Sequence, residues 1–357
     1  MIIIEIPSEA IYPFTFEPIY KDYVWGGTNL STFGKILPSD RIAESWEASC
    51  HPNGTSIIGN GLLRLKALTE VIDQYGASIV GTKMTCKKYP LLVKFIDAND
   101  KLSIQVHPGD DYARTHENGE SGKNEMWYIV SAKPDSFIYY GVVEGTSKKD
   151  FEKAIKNNTV EKHLNKMYVF PGDVINIPAG TVHGLCEGIT LIEIQQSSDA
   201  TYRIYDYDRK NSLGKPLREL HIQKALDVIN FNQNKKSKLC GIKMVEMGRG
   251  YRKILAANKY FACELWNSSG TRIQNSDPQK FFIYTLIDGN IVIYHKNGKT
   301  NVSKGESVLI PSSLGRYIFE GRYIGLKTYV PDLENDIYKP LISAGYKRKE
   351  IQDSLNQ

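Results

Sequence analysis

Pro171-Gly172-Asp173, then Val174-Ile175-Asn176-Ile177, then Pro178-Ala179-Gly180-Thr181-Val182-His183: here the chain turns, runs extended and turns again. Gly172 and Pro178 punctuate, and mostly β-branched residues fill the space between them, the composition of a short strand rather than a helix. The same register recurs later as Lys304-Gly305-Glu306, Ser307-Val308-Leu309-Ile310 and Pro311-Ser312-Ser313-Leu314-Gly315. Both copies place a glycine, an acidic residue, four strand residues and a proline in order, and only the first goes on to a histidine. The repeat predicts two similar β-folds, one of them equipped for chemistry.

Working outward, short β-branched and aromatic runs at 126–130, 137–140, 167–170, 191–195, 281–286 and 291–294 are mostly bounded by Gly, Pro or Asn. That pattern belongs to antiparallel sandwiches and barrels. Helix signals are few. Thr69 precedes Ile72, Tyr75 and Ile79 at helical spacing; Ser147 and Asp150 have capping-box spacing ahead of Phe151, Ala154 and Ile155; Ile222, Leu226 and Ile229 suggest a third helix. A length of 357 residues suits two domains at roughly 100–200 residues each. The polar stretch 230–238 predicts the boundary, with a catalytic domain over 1–232 and a degenerate C-terminal β domain over 233–357.

Composition excludes several classes. Lys plus Arg total 45 against 40 Asp plus Glu, a net charge of +5, and no basic cluster is large enough to mark a nucleic-acid face. No window approaches the roughly 18 apolar residues of a membrane helix, and the N-terminus lacks a basic region followed by a long apolar core. Five cysteines (Cys50, Cys86, Cys186, Cys240 and Cys263), without a CxxC pair, fit reduced thiols in a cytoplasm better than a disulfide framework. The expectation is a cytoplasmic protein acting on a small molecule, without nucleic-acid or membrane partners; its oligomeric state stays open.

The chemistry points to three segments. In Ser103-Ile104-Gln105-Val106-His107-Pro108, strand alternation puts Ser103, Gln105 and His107 on one face. Three polar side chains on one face suit a binding site or a solvent-facing strand. Glu125 opens the run 126–130, where a hairpin would return it beside His107. Lys123, two residues earlier, would share that side and is a candidate for proton transfer or phosphate pairing. Gly172, Pro178, Gly180 and His183 reproduce the second sequence motif of the cupin barrels, whose histidine points inward. Gln105, His107, Glu125 and His183 then offer two imidazoles, a carboxylate and an amide oxygen. Such a set suits Zn2+, and nearly as well iron, manganese, cobalt or nickel.

Longer stretches carry a more specific resemblance: Tyr23-Val24-Trp25-Gly26-Gly27, Glu44-Ser45-Trp46-Glu47, PLLVKFIDANDKLSIQVHP at 90–108, GKNEMWYI at 122–129, PAGTVHGL at 178–185 and IEIQQSSDATYRIYDYDR at 192–209. The sequence resembles the type I mannose-6-phosphate isomerases (phosphomannose isomerases) in their short bacterial form. The resemblance implies a mainly β protein, a cupin (jelly-roll) barrel with a few helices plus a second, degenerate cupin-like domain. It implies one Zn2+ per chain, held by Gln105, His107, Glu125 and His183, and an active-site arginine at Arg203. It also implies a sugar phosphate contacted by Ser103 and Arg209, the latter standing where eukaryotic relatives carry a lysine. The implied reaction interconverts mannose 6-phosphate and fructose 6-phosphate through an enediolate, with Lys123 the first candidate for moving the proton and His51 the second. An iron-dependent cupin oxygenase and a sugar-phosphate binding protein are the rivals.

Overall fold

The computed structural model describes residues 8–84, 89–210, 213–214, 217–232, 237–246 and 250–355. Residues 1–7, Cys86 and positions 233–236 at the expected domain boundary lie outside the described residues.

Two antiparallel sheets face each other in the N-terminal half. One has six strands, in the order Val174–Ile177, Glu125–Ala132, Ile189–Gln196, Leu91–Ala98, Glu44–Ala48 and Ile19–Lys21. The other has five, in the order Leu164–Tyr168, Phe137–Val142, His183–Leu185, Ile104–Val106 and Tyr202–Tyr205. Alternation decides which side chains enter the space between them. Ile96, Trp127, Ile129, Ile175 and Leu191 from the first sheet pack on Ile138, Tyr140 and Leu185 from the second. The opposite face of the six-stranded sheet, with Val93, Phe95, Met126, Ile192 and Ile194, packs into a core shared with the C-terminal half. This is the mainly β jelly-roll arrangement that the resemblance implies.

The C-terminal half builds a sheet around three long strands, Ala262–Asn275, Phe282–His295 and Arg316–Tyr329. The repeat is visible in the backbone. Val174–Ile177 and Ser307–Ile310 are both strands, and each is entered through a left-handed glycine, Gly172 (φ +91°) and Gly305 (φ +80°). An added Cβ on Gly305 would meet Phe33 O at 1.9 Å, so no other residue fits there. The break at 232/233 does not divide the sheets. Phe14–Glu17 pairs with Ser307–Ile310 and Ile57–Ile58 extends the same sheet, so the start of the chain is woven into the C-terminal half.

The capped helix is Lys148–Lys156, where Ser147 Oγ accepts from Asp150 N at 3.1 Å. The helix expected from Thr69 runs over Leu68–Tyr75 with its cap position at Ala67, and the third runs over Ile222–Val228. The polar stretch after Pro108 is not all loop: it carries the helix Asp110–His116. Further helical turns, Lys339–Ser343 and Arg348–Leu355, close the C-terminus. No helix among the described residues is long and apolar enough to cross a membrane.

Leu309 is fully buried, and Phe14 from the start of the chain is its register partner. Leu309→Ala should lower the unfolding free energy by about 2–5 kcal/mol. Because the core is shared, circular dichroism and tryptophan fluorescence should follow one coincident urea transition; two separated transitions would mean that the halves unfold independently.

Candidate metal centre and active site

Adjacent strands of the five-stranded sheet place His183 opposite Gln105 and Gln105 opposite Arg203, so three polar side chains lie in a row across it. Glu125 comes from the facing sheet, where Ile177 and Gln195 flank it. The expected hairpin is therefore corrected. Glu125 meets His107 across the sandwich, after the chain has passed through the helix Asp110–His116.

His107 Nε2 lies 3.2 Å from Glu125 Oε1 and His183 Nε2 lies 3.8 Å from Glu125 Oε2. His107 Nδ1 is 2.9 Å from Ala200 O, and His183 Nδ1 is 3.0 Å from Thr181 O. A backbone carbonyl accepts only from an N–H, so both rings carry the proton on Nδ1 and present a bare Nε2 lone pair inward. The Gln105 amide sits 3.2 Å from His183 Nε2, and turning it over would present Oε1 at the same point. Glu125 has no exposed surface, and its Oε2 has no hydrogen-bonding partner among the described residues. A buried, under-bonded carboxylate facing two imidazole lone pairs is the donor set a divalent cation completes. Among the described residues this is the sole cluster of His, Cys, Asp and Glu that could hold a metal.

Electrostatics favour the same protonation states. Burial, with help from Lys123, lowers the His107 pKa, and burial with His107 pushes His183 down to about 3. Burial alone would raise Glu125, but Lys123 and the two imidazoles outweigh it and hold the carboxyl well below its usual range. Lys123 Nζ stands 2.5 Å from Glu125 Oε1 and 3.4 Å from His107 Nε2.

Of these groups Gln105 and Lys123 line a cavity of about 410 Å³ that also receives Ser103 and Arg203. Ser103 Oγ donates to Gln105 Oε1 at 3.3 Å. Arg203 Nη1 donates to Glu219 O at 2.9 Å, while its buried Nε has no hydrogen-bond partner among the described residues. Burial and the neighbouring Arg218 lower the Arg203 pKa. Arg209, the expected phosphate contact, is not among the residues that line this cavity. Its guanidinium is taken up by Asp100 at 2.7 Å, Asp206 at 3.0 Å and Lys101 O at 2.6 Å. Arg218, which donates to both oxygens of Asp206 and shares Oδ1 with Arg209, lines the cavity with His221 and Lys224. His51 is not among the lining groups; its ring lies 3.5 Å from Glu120 and accepts from Asn53 N.

A second polar group lines the cavity, and of its members Glu193 escaped the sequence reading. Lys94 points inward, 3.5 Å from Glu44 and 3.3 Å from Glu193. Trp46 Nε1 donates to Glu44 and Trp127 Nε1 to Glu193. Burial and Glu125 raise the Glu193 pKa, and its Oε1 has no hydrogen-bond partner among the described residues. In sequence, Glu193 is one polar residue in an apolar strand; strand alternation with Gln195, which faces Glu125, was the available signal.

Residues 14–132 match the family described as phosphomannose isomerase type I, catalytic domain, and residues 252–330 match mannose-6-phosphate isomerase, cupin domain. The chain is 37% identical to mannose-6-phosphate isomerase ManA of Bacillus subtilis (strain 168) over 310 residues, 87% of this chain and 96% of that protein. This chain belongs to the type I phosphomannose isomerase family. A second relative, mannose-6-phosphate isomerase of Streptococcus mutans serotype c, is 34% identical over 84% of this chain and 92% of its own. The crystal structure of the Bacillus subtilis mannose 6-phosphate isomerase superposes with a TM-score of 0.81 at 32% identity, covering 88% of this chain and 99% of that one. Metal dependence is characteristic of the family.

His107→Ala and His183→Ala should each remove most of the bound metal, read by elemental analysis after gel filtration. Full retention in both variants would rule out this centre.

Proposed function

We propose that this protein interconverts mannose 6-phosphate and fructose 6-phosphate as a metal-dependent aldose–ketose isomerase, with Gln105, His107, Glu125 and His183 holding one Zn2+. The observation that carries the reading is that Gln105, Lys123 and Arg203 line one cavity, with Lys123 Nζ against Glu125. The bound cation supplies Lewis-acid polarisation of the sugar oxygens and stabilises negative charge, without changing oxidation state.

The protein's own groups account for the rest. The reaction moves one proton between C2 and C1, and an enediolate intermediate carries negative charge on the two oxygens. Arg203, whose buried Nε has no partner among the described residues, is a preorganised donor for that charge. Lys123 is proposed to carry the proton, as the neutral amine that takes it from one carbon and the ammonium that returns it to the other, since its Nζ lies among the ligands and its side chain lines the cavity. Walls supplied by Trp25, Trp127 and Leu102 exclude water from the open-chain sugar.

The phosphate dianion calls for cations away from the reacting carbons. Ser103 keeps its proposed role as a hydroxyl donor in the cavity. Arg209 passes its role to Arg218, which lines the cavity, and acts by bracing Asp206. Lys224 adds charge at the same rim. Remote contacts of this kind hold the chain so that its oxygens meet the catalytic groups.

A coupled assay for fructose 6-phosphate formation tests the reading: turnover of mannose 6-phosphate that disappears on chelation and returns with Zn2+ supports it, and a fully metal-loaded protein without turnover refutes it. Arg203→Ala should retain its metal and lose roughly a hundredfold or more in kcat. A metal-loaded Arg203→Ala enzyme of near-normal kcat would remove that role. Arg218→Ala should lose about 10- to 100-fold in kcat/KM for the phosphorylated sugar, the scale of one charge-assisted hydrogen bond; Arg209→Ala should lose less. The reverse order would return the phosphate contact to Arg209.

A further inference from the structure

The C-terminal domain contributes no ligand to the metal centre, yet one of its side chains reaches the scaffold behind it. Tyr260 stands between the strands Gly250–Ala257 and Ala262–Asn275. Its hydroxyl donates to Asp110 Oδ2 at 2.9 Å. The other oxygen of Asp110 accepts from Gly122 N at 2.9 Å and from Gln196 Nε2 at 3.0 Å. Gln196 Oε1 in turn accepts from Asn124 N at 3.1 Å and Asn124 Nδ2 at 2.7 Å, and Asn124 Oδ1 accepts from Ala179 N at 3.0 Å.

This one network touches every segment that carries a proposed ligand. Asp110 opens the helix that follows His107 and Pro108. Asn124 sits between Lys123 and Glu125, and Ala179 lies in the turn that leads to His183. Each of those ligands stands at or just outside the end of a strand, where the ladder alone holds the backbone weakly. Packing leaves the network little slack: a Cβ on Gly122 would fall 2.5 Å from Asp110 N.

We propose that Asp110, held by Tyr260, is a positioning residue for the metal centre, and that the C-terminal domain acts in the reaction through this hydrogen bond. The inference rests on the metal-centre reading above. Partners of this kind fix where ligands sit, and their loss typically costs about 10- to 100-fold in metal affinity or activity.

The test compares wild type, Tyr260→Phe, Asp110→Ala, Asp110→Asn and Ser312→Ala, each loaded with Co2+. The readouts are the visible absorption of the bound Co2+, the rate of metal loss to a chelator, kcat and KM, and thermal stability. Asp110→Ala should lose metal roughly 10- to 100-fold faster, with an altered cobalt spectrum and a lower kcat at nearly unchanged KM. Tyr260→Phe should move the same readouts in the same direction, less far. Asp110→Asn should restore most of the wild-type behaviour, because one amide oxygen can still accept from Gly122 and Gln196 while the Tyr260 hydroxyl turns to accept. Ser312→Ala removes a different hydrogen bond between the halves, to Ala77 O, and should change only thermal stability. Wild-type metal loss and spectrum in Asp110→Ala, with only the stability lowered, would overturn the proposal. If Asp110→Ala does not fold, Tyr260→Phe decides, and unchanged metal loss there overturns it. Spectrum and metal loss are read without substrate, so they hold or fail apart from turnover of mannose 6-phosphate.

Discussion

A carboxylate sealed between two sheets is the constraint around which the N-terminal domain is organised. Glu125 has no exposed surface, and burying an unpaired charge would cost several kcal/mol. The structure surrounds it with the Lys123 ammonium and two imidazoles whose Nδ1 protons are committed to backbone carbonyls. Lys123, two residues away, offsets the charge locally, whereas the imidazoles come from two other segments and turn lone pairs toward the carboxylate, so the donor set is complete only when both sheets and the connections between them are in place. Folding and assembly of the centre are in this sense one event.

Behind that carboxylate a second group of charges lies in the same interior: Lys94 between Glu44 and Glu193, with a tryptophan indole bonded to each acid. Lys123 lines the cavity with this second group, and Glu125 adds to burial in raising the pKa of Glu193. The polar floor also explains why the inner face of this sandwich is not filled with apolar side chains. The C-terminal sheet takes the other course and buries an aromatic cluster of Tyr284, Tyr317, Phe319 and Tyr323. Two folds with the same entry turns thus diverge by what lies on their inward faces.

The halves are not independent. Strand Phe14–Glu17 joins the C-terminal sheet, the outer face of the catalytic sheet lies in the common core, and Tyr260 reaches the loops behind the ligands. Covering that outer face is a task apolar packing performs without specificity. The hydrogen bond from Tyr260 to Asp110 is directional, and that is what couples the second domain to the site.

Features set by neighbours in the chain were open to reading from the sequence alone. The glycine, strand, proline and histidine order of 172–183, its incomplete copy at 305–315, the Ser147 cap and the same-face spacing of Ser103, Gln105 and His107 depend on local backbone geometry, and the strands and cap formed there. Ligand types could be proposed for the same reason, since chemistry restricts which residues serve. Whatever depended on competition between distant groups was decided only by the tertiary structure. A pairing of Arg209 with Asp206 was open to reading from three residues away, but Asp100, more than a hundred residues distant in the chain, was not, and it takes the other end of the guanidinium. Lys94 and Glu193 read as irregularities in apolar strands until the register of Ile189–Gln196 against Leu91–Ala98 sets them side by side. Glu125 meets His107 across the sandwich rather than along a hairpin. A one-dimensional pattern records which way a side chain can point, but charge pairing and burial are settled by what comes to stand opposite it.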